Sequence, residues 1–223
     1  MKFSSVTFDL DGTLLDTVLD LTEACQRMLD ELRLPQRSEA EVRDFVGQGM
    51  VVLVRRCLAR DVPPDEALTS RAVSVFQRHY AAVNGTRTQL FPGVAEGLDA
   101  WAGSGLPLAI VTNKPAAFTE PLLERVGLRH YFQTVISGDT TAQRKPHPEP
   151  LLEACRRMGV AAQGNLHIGD SRHDIETARR AGCAAVYGVT YGYNEGAALR
   201  PEDCDALVED LRMTWALAKV HRP

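Results

Sequence analysis

Long apolar runs, closely spaced cysteines and an excess of positive charge are all lacking in this sequence of 223 residues, and each absence argues against a class of protein. Apolar runs are short: the run at residues 50–54 ends at Arg55 and Arg56, far below the roughly 20 residues that a membrane-spanning helix needs. The five cysteines are far apart and include no C-x-x-C pair, so neither a disulfide framework nor a structural zinc site is predicted.

Positive charge is not in excess either. Lys and Arg number 25 against 29 Asp and Glu, which gives a net charge of −4 and argues against binding to nucleic acid or to anionic membranes. The chain reaches Asp9 before any apolar stretch that would serve as a signal peptide. We therefore expect a globular protein of the cytoplasm that binds neither nucleic acid nor membrane, and that exists as a monomer or homodimer.

The order of predicted elements indicates the fold. Apolar residues at helical spacing predict helices over 17–32, 50–58 and 68–83, with no strand pattern between them. A first strand is predicted at 5–9, and strands at 106–112, 134–137, 165–169 and 184–189 alternate with helices at 116–126, 149–158 and 174–181. We predict an α/β fold: a Rossmann-like, doubly wound parallel sheet formed by residues 1–15 and 90–223, with an inserted all-helical cap at residues 16–89.

Polar residues follow the predicted strands at their carboxyl ends, where ligands bind in open parallel sheets. Each motif alone has an ordinary explanation, such as an acidic turn, a helix N-cap or a surface lysine. Their joint occurrence on one edge is much harder to explain by chance. The set comprises Asp9, Asp11, Thr112, Asn113, Lys145, Asp170 and Asp174.

These motifs resemble the haloacid dehalogenase-like phosphohydrolases, which carry D-x-D-G-T, S/T, K and G-D-x-x-x-D in the same order. Here the motifs are D-L-D-G-T at 9–13, Thr112, Lys145 and G-D-S-R-H-D at 169–174. Within that superfamily, F-V-G-Q-G at 45–49, V-T-N-K-P at 111–115 and K-P-H-P at 145–148 are most similar to phosphoglycolate phosphatases. The resemblance implies a small phosphorylated metabolite of carbohydrate metabolism as substrate, with 2-phosphoglycolate favoured.

The resemblance also implies roles for individual residues. Asp9 would attack phosphorus, and Asp11 would protonate the leaving group and then activate water. Thr112 and Lys145 would hold the phosphate, helped by backbone donors near Asn113 and in the turn after Asp9. The turn residues are Gly12 and Thr13.

A metal ion is implied by the resemblance and by charge. The carboxylates at positions 9, 11, 170 and 174, with Lys145, leave three net negative charges before an anionic substrate arrives. Mg²⁺ suits such a site because it prefers oxygen ligands. The implied metal residues are Asp9, Asp11 through its backbone carbonyl, Asp170, and Asp174 as the residue that orients the others.

The cap offers a candidate seat for a substrate carboxylate. Arg55, on the helix predicted at 50–58, would bind a carboxylate through two hydrogen bonds, although an arginine on a solvated helix face is an equally good explanation of this residue. Tyr80 is expected to pack within its helix, and His173 is expected to face solvent. The seat itself is a glycine-containing loop at a helix N-terminus, which an ordinary interhelix turn explains equally well: Gly47, Gln48 and Gly49.

Several alternatives differ in how well they fit. Asp11 and the acidic pair at 170 and 174 argue against dehalogenation, which needs neither a metal nor a leaving-group acid. The cap contains no lysine, which argues against Schiff-base chemistry of the phosphonoacetaldehyde hydrolase kind. A sugar-phosphate phosphatase, a phosphoglucomutase-like enzyme and a catalytically silent binding module remain open.

Overall fold

A parallel β-sheet organises the chain, for which a computed structural model describes residues 3–59 and 63–220. The strands of the described residues are β1 (Ser5–Phe8), β2 (Leu15–Asp16), β3 (Gln89–Leu90), β4 (Leu108–Val111), β5 (Thr134–Ile136), β6 (Asn165–Gly169), β7 (Ala185–Val189) and β8 (Ala206–Val208). Six of these strands form one sheet in the order β5-β4-β1-β6-β7-β8, with every neighbouring pair parallel. β2 and β3 form a separate antiparallel ribbon.

The central strand creates the binding edge. β1 pairs with β4 on one side and β6 on the other, and Val6 lies opposite both Leu108 and Leu166. The chain therefore winds outward in two directions from β1, which opens a crevice at the carboxyl ends of these strands.

Helices cover both faces of the sheet. The α-helices of the described residues are α1 (Val18–Glu31), α2 (Glu39–Phe45), α3 (Met50–Ala59), α4 (Glu66–Val83), α5 (Val94–Ala102), α6 (Ala116–Arg125), α7 (Glu149–Met158), α8 (Arg172–Ala181) and α9 (Leu211–Val220). One apolar cluster joins the sheet to α5, α6 and α9, and includes Trp101 and Leu211. Another joins the opposite face to α7 and α8, and includes Leu151 and Ile175.

The first four helices have an apolar cluster of their own. α1 packs against α4, and Phe118 and Tyr193 of the sheet region are also part of this cluster. Asp20 holds the segment in which the chain returns from the four helices to the sheet. Its buried carboxylate accepts hydrogen bonds from the backbone N–H groups of Gly85, Arg87 and Thr88 at 2.8, 2.9 and 3.1 Å. The separate cluster supports the predicted boundaries of the cap, which stay a prediction.

The predicted fold class is confirmed by this architecture. α7 and β6 have the predicted bounds: α7 is an amphipathic helix with one buried face, and every residue of β6 is buried. Five helices and strands were missed: α2, α9, β2, β3 and β8. The ribbon of β2 and β3 places Asp16 and Gln89 in short strands at the base of the otherwise helical cap. Within residues 3–59 and 63–220, every helix is too short or too polar to cross a membrane.

Candidate active site

The first strand places a carboxylate at the carboxyl edge of the sheet. β1 ends one residue before Asp9, whose backbone N–H still donates to the Ile168 carbonyl of β6 at 2.9 Å. The chain then turns through Gly12, whose φ of 89° lies in the left-handed region. A side chain at Gly12 would collide with the Asp170 carboxylate. The turn therefore brings the Asp9 segment and the end of β6 into direct contact.

Lys145 lies between two carboxylates. Its Nζ is 2.7 Å from Asp9 Oδ1 and 2.6 Å from Asp174 Oδ1, and only 2% of its side chain is exposed. Burial lowers the pKa of Lys145, but the two carboxylates outweigh burial and hold that pKa above its ordinary value. The Asn113 amide fixes the lysine's backbone, accepting from Lys145 N at 3.0 Å and donating to Lys145 O at 3.1 Å. The site thus holds a permanent, oriented positive charge.

Asp170, which directly follows β6, is surrounded by hydrogen-bond donors. Thr13 Oγ1 donates to Asp170 Oδ1 at 3.1 Å, and the backbone N–H groups of Tyr193 and Asn194 donate to Oδ2 at 2.8 and 3.3 Å. Burial nevertheless raises the pKa of Asp170 to about 6, with a further contribution from the charge on Asp174. A bound cation would therefore favour the ionised form of this carboxylate.

Asp174 is fixed at the start of α8. Ser171 caps the helix and donates to Asp174 Oδ2 from its hydroxyl at 2.6 Å and from its backbone N–H at 3.1 Å. His167 Nε2 lies 3.2 Å from Asp174 Oδ1. Burial raises the pKa of Asp174, but Lys145 and His167 outweigh burial and hold that pKa below its usual range. Asp174 is thus an ionised partner for Lys145.

Three carboxylates together fit a divalent cation. Oxygens of Asp9, Asp170 and Asp174 lie within 4.8 Å of one another, and all three residues are buried. Burial raises the pKa of Asp9 well above its ordinary value, as do the charges of Asp174 and Asp170, against the opposing effect of Lys145. Mg²⁺ prefers oxygen ligands such as these carboxylates, and its charge would offset their clustered negative charge. The donor set therefore fits the metal that the sequence implies.

The Asp11 carboxylate points away from this cluster. Its Oδ1 accepts from Thr17 Oγ1 at 2.8 Å, and Lys114 Nζ donates to Oδ1 and Oδ2 at 3.2 and 3.3 Å. The side chain of Asp11 is therefore outside the carboxylate cluster, and the role of its backbone carbonyl as a metal ligand stays a prediction. The side chain is turned toward the cavity between the sheet and the cap, where a leaving group would lie.

A cavity joins the sheet edge to the cap. Thr112 lies on its wall, and its buried hydroxyl accepts from the Lys114 backbone N–H at 3.2 Å. The sheet side is polar, whereas the cap side is mostly apolar and includes Phe76. The described lining residues are Asp9, Asp11, Leu21, Val46, Gly47, Gly49, Met50, Leu53, Phe76, Tyr80, Thr112, Asn113, Lys114, Pro115 and Phe118.

The structure places some of the predicted cap residues at the cavity and others away from it. Gly47 and Gly49 line the cavity, and the Asn113 side chain donates to the Gly47 carbonyl at 3.0 Å. Gln48 turns the other way and donates to Glu195 Oε2 at 2.8 Å. Arg55 is exposed on α3 and is not among the residues lining the cavity, because the apolar face of α3 is the one that packs inward. The expected carboxylate clamp at Arg55 is therefore not formed in this structure.

Two backbone donors predicted to hold phosphate are used within the turn itself. Gly12 N donates to the Leu15 carbonyl at 3.0 Å, and Thr13 N donates to the Leu10 carbonyl at 3.3 Å. Thr13 instead contributes its hydroxyl, which orients Asp170. These residues build the turn that holds the site, and their N–H groups are bonded to carbonyls within that turn.

The sequence matches a known family over most of its length. Residues 6–187 match the family model for haloacid dehalogenase-like hydrolases. The chain belongs to this family. The resemblance read from its motifs is thereby confirmed.

Relatives within the haloacid dehalogenase-like family share a further name. The phosphoglycolate phosphatase of Thiobacillus denitrificans is 44% identical, covering 95% of this chain and 93% of the relative. That of Escherichia coli K12 is 41% identical, covering 92% and 88%. Among solved structures, a predicted phosphoglycolate phosphatase from Haemophilus somnus superposes with a TM-score of 0.91 at 32% identity, covering 98% of this chain and 99% of that one.

Four residues of this family member's site were not predicted. Lys114 and Tyr80 meet in the cavity, where Lys114 Nζ donates to the Tyr80 hydroxyl at 2.5 Å, so Tyr80 does more than pack within its helix. His167 Nε2 lies 3.2 Å from Asp174 Oδ1, and Glu195 Oε1 lies 2.8 Å from His173 Nδ1. The expectation that His173 faces solvent is therefore wrong. Only the V-T-N-K-P motif could have drawn attention to Lys114; the other contacts depend on tertiary packing.

Proposed function

We propose that the protein is a Mg²⁺-dependent phosphomonoesterase that hydrolyses 2-phosphoglycolate to glycolate and phosphate. The observation that carries this proposal is the buried Lys145 ammonium, bonded to Asp9 and Asp174 beside the carboxylate of Asp170. Two relatives named phosphoglycolate phosphatase, at 41–44% identity over most of the chain, support the choice of substrate. A cytoplasmic location and a monomeric or homodimeric state accompany the proposal as predictions.

Reaction would begin at Asp9. Its carboxylate oxygen forms a bond to phosphorus as the bond from phosphorus to the ester oxygen breaks, which gives an aspartyl phosphate. Asp11, facing the cavity, gives its proton to the departing alkoxide, so glycolate leaves as an alcohol. Asp11 then removes a proton from water, whose oxygen attacks phosphorus and releases Asp9 and phosphate.

Fixed charge supports these steps. Lys145 offsets the negative charge of Asp9 and of the transferred phosphoryl group, and it needs no rearrangement because Asp174 already holds it. The Thr112 hydroxyl accepts from Lys114 N and keeps its own proton to donate to a phosphoryl oxygen. Asp9, Asp170 and the Asp11 carbonyl would hold Mg²⁺, with Asp174 behind them; the metal supplies positive charge that offsets the carboxylates and the phosphate.

A phosphate-release screen tests the proposal. The purified protein is assayed with Mg²⁺ against 2-phosphoglycolate, hexose phosphates, nucleoside monophosphates and pyrophosphate. We expect phosphate from the first turnover, with the highest kcat/KM on 2-phosphoglycolate. A higher kcat/KM on a hexose phosphate would reassign the substrate, and no phosphate from any ester would contradict the enzyme itself.

A further inference from the structure

Lys114 is a buried cation that the proposed phosphoryl transfer does not use. It lies on the loop after β4, and 3% of its side chain is exposed. Among the described residues that line the cavity, Lys114 is the one with a cationic side chain. Lys145 is engaged with Asp9 and Asp174, at the end of the site where phosphate would lie. Lys114 therefore gives the cavity a positive charge that is separate from Lys145 at the phosphate end of the site.

The position of Lys114 is set by the sheet region and the cap together. Its Nζ donates to Asp11 at 3.2 Å and to the Tyr80 hydroxyl of α4 at 2.5 Å, and it lies 4.7 Å from the centre of the Tyr80 ring. The ring itself is held between Phe76 and Phe118, with centroids 5.3 and 5.0 Å away. The ammonium is thus anchored on one side and faces the cavity.

Tyr80 adds a second donor at the same place. Burial raises the pKa of Tyr80 well above its ordinary value, so the hydroxyl keeps its proton. Since this hydroxyl accepts from Lys114, its own proton is directed elsewhere and is suited to an anionic oxygen. An ammonium and a hydroxyl side by side match the two oxygens of a carboxylate.

The distance from the reacting bond fits a small acid. Asp11 must reach the ester oxygen to protonate it, and Lys114 lies 3.2 Å from Asp11 Oδ1. In a phosphate ester of a 2-hydroxy acid, the carboxylate carbon is two bonds from the ester oxygen. We propose that Lys114 and Tyr80 form a second-anion subsite that selects phosphate monoesters bearing a carboxylate next to the ester carbon. This inference rests on the proposed function and assigns its specificity to two residues outside the phosphoryl-transfer machinery.

A matched pair of substrates tests the subsite. 2-Phosphoglycolate and ethyl phosphate differ in that a carboxylate replaces a methyl group, so they compare the second anion directly. In Lys114→Met, which also removes the buried partner of Asp11, we expect kcat/KM to fall for both esters, and to fall about 100-fold further for 2-phosphoglycolate than for ethyl phosphate. Lys114→Arg should recover part of the loss, and Tyr80→Phe should lose about tenfold on 2-phosphoglycolate alone.

The result that would overturn the subsite is an equal loss on both esters, because Lys114 would then act only by orienting Asp11. Inhibition adds a readout without turnover: phosphonoacetate should inhibit the wild type far better than ethylphosphonate, and Lys114→Met should bring the two inhibition constants together. Unchanged discrimination in the variant would also overturn the subsite. The proposed function is tested separately with the wild-type protein: no preference for 2-phosphoglycolate there would contradict it. Melting curves of each variant establish that it is folded.

Discussion

The sheet edge and the cap face the same cavity but are built in different ways. At the sheet edge, Asp9 and Asp170 directly follow strands, and Asp174 lies in the first turn of α8. On the cap, the residues that face the cavity come from a loop and from helix faces, and Gln48 turns toward Glu195 instead. The comparison separates a buried cluster of charges, which we propose performs the chemistry, from a cap surface that we propose contacts the substrate.

This difference predicts where a substitution acts. Buried charges at the sheet edge hold one another, so removing one should disturb the reaction itself. Cap contacts such as the one between Arg56 and Glu195 are half-exposed, with 30% and 15% of the side chains accessible. Their loss should change substrate binding more than the chemical step.

The largest effect is expected at Asp9. Asp9→Asn should lower kcat at least about 1,000-fold on every substrate, because the amide cannot attack phosphorus. Phosphate release measures the loss, and the melting temperature should stay near that of the wild type. Turnover within tenfold of the wild type would show that the sheet edge is not the chemical site.

Asp11→Asn tests whether a residue at the sheet edge protonates the leaving group. We expect about a 100-fold loss on alkyl phosphates such as 2-phosphoglycolate, but a much smaller loss on an aryl phosphate, whose leaving group needs little protonation. Release of the leaving group in the first turnover measures this, because the later hydrolysis of the aspartyl phosphate also uses Asp11 and is common to both substrates. An equal loss on both would exclude Asp11 as the proton donor.

Mg²⁺ should stabilise the sheet edge in a pH-dependent way. Burial raises the pKa of Asp170 to about 6, so its favourable contribution to folding is present below its unfolded pKa and is lost as pH rises through 6. Because Mg²⁺ favours the ionised carboxylate, the increase that Mg²⁺ gives in the free energy of unfolding, relative to an EDTA-treated sample, should be larger at pH 7.5 than at pH 5 by about 2 kcal/mol or less. Asp170→Asn is the control and should remove most of the difference. Equal increments at both pH values would contradict this account.

The smallest effect is expected where the cap meets the sheet region. Glu195 Oε1 is 2.8 Å from His173 Nδ1, while Oε2 accepts from Gln48 at 2.8 Å and from Arg56 at 3.4 Å. Glu195→Gln should raise KM about threefold and leave kcat within twofold, since partly exposed ion pairs contribute little. Glu202→Gln is a matched control at an exposed pair with Arg200. A large loss of kcat would show that this contact serves the chemistry.

The same two regions differ in what the sequence could predict. Asp9, Lys145 and Asp170 could be predicted together because the carboxyl ends of parallel strands meet at one edge. The pairing of Lys114 with Tyr80 could not, since it joins a sheet loop to a helix face 34 residues away.

Short or weakly patterned elements were also beyond prediction. β8 has three residues and is only partly buried, and α2 is a seven-residue helix with one fully buried side chain, Val42. Neither presents a periodic apolar pattern long enough to recognise. Polar side chains such as Gln48 and Arg55 are equally difficult, because either can face solvent or a ligand until the packing of the helices is known.

The most direct test of the central claim is to trap the phosphoryl group on the protein. Turnover of 2-phosphoglycolate with Mg²⁺ is quenched in acid, and the peptides are mapped by mass spectrometry. We predict one added phosphoryl group on the peptide that contains Asp9, absent from Asp9→Asn. A phosphoryl group trapped at a different residue, with Asp9→Asn still turning over, would contradict the claim.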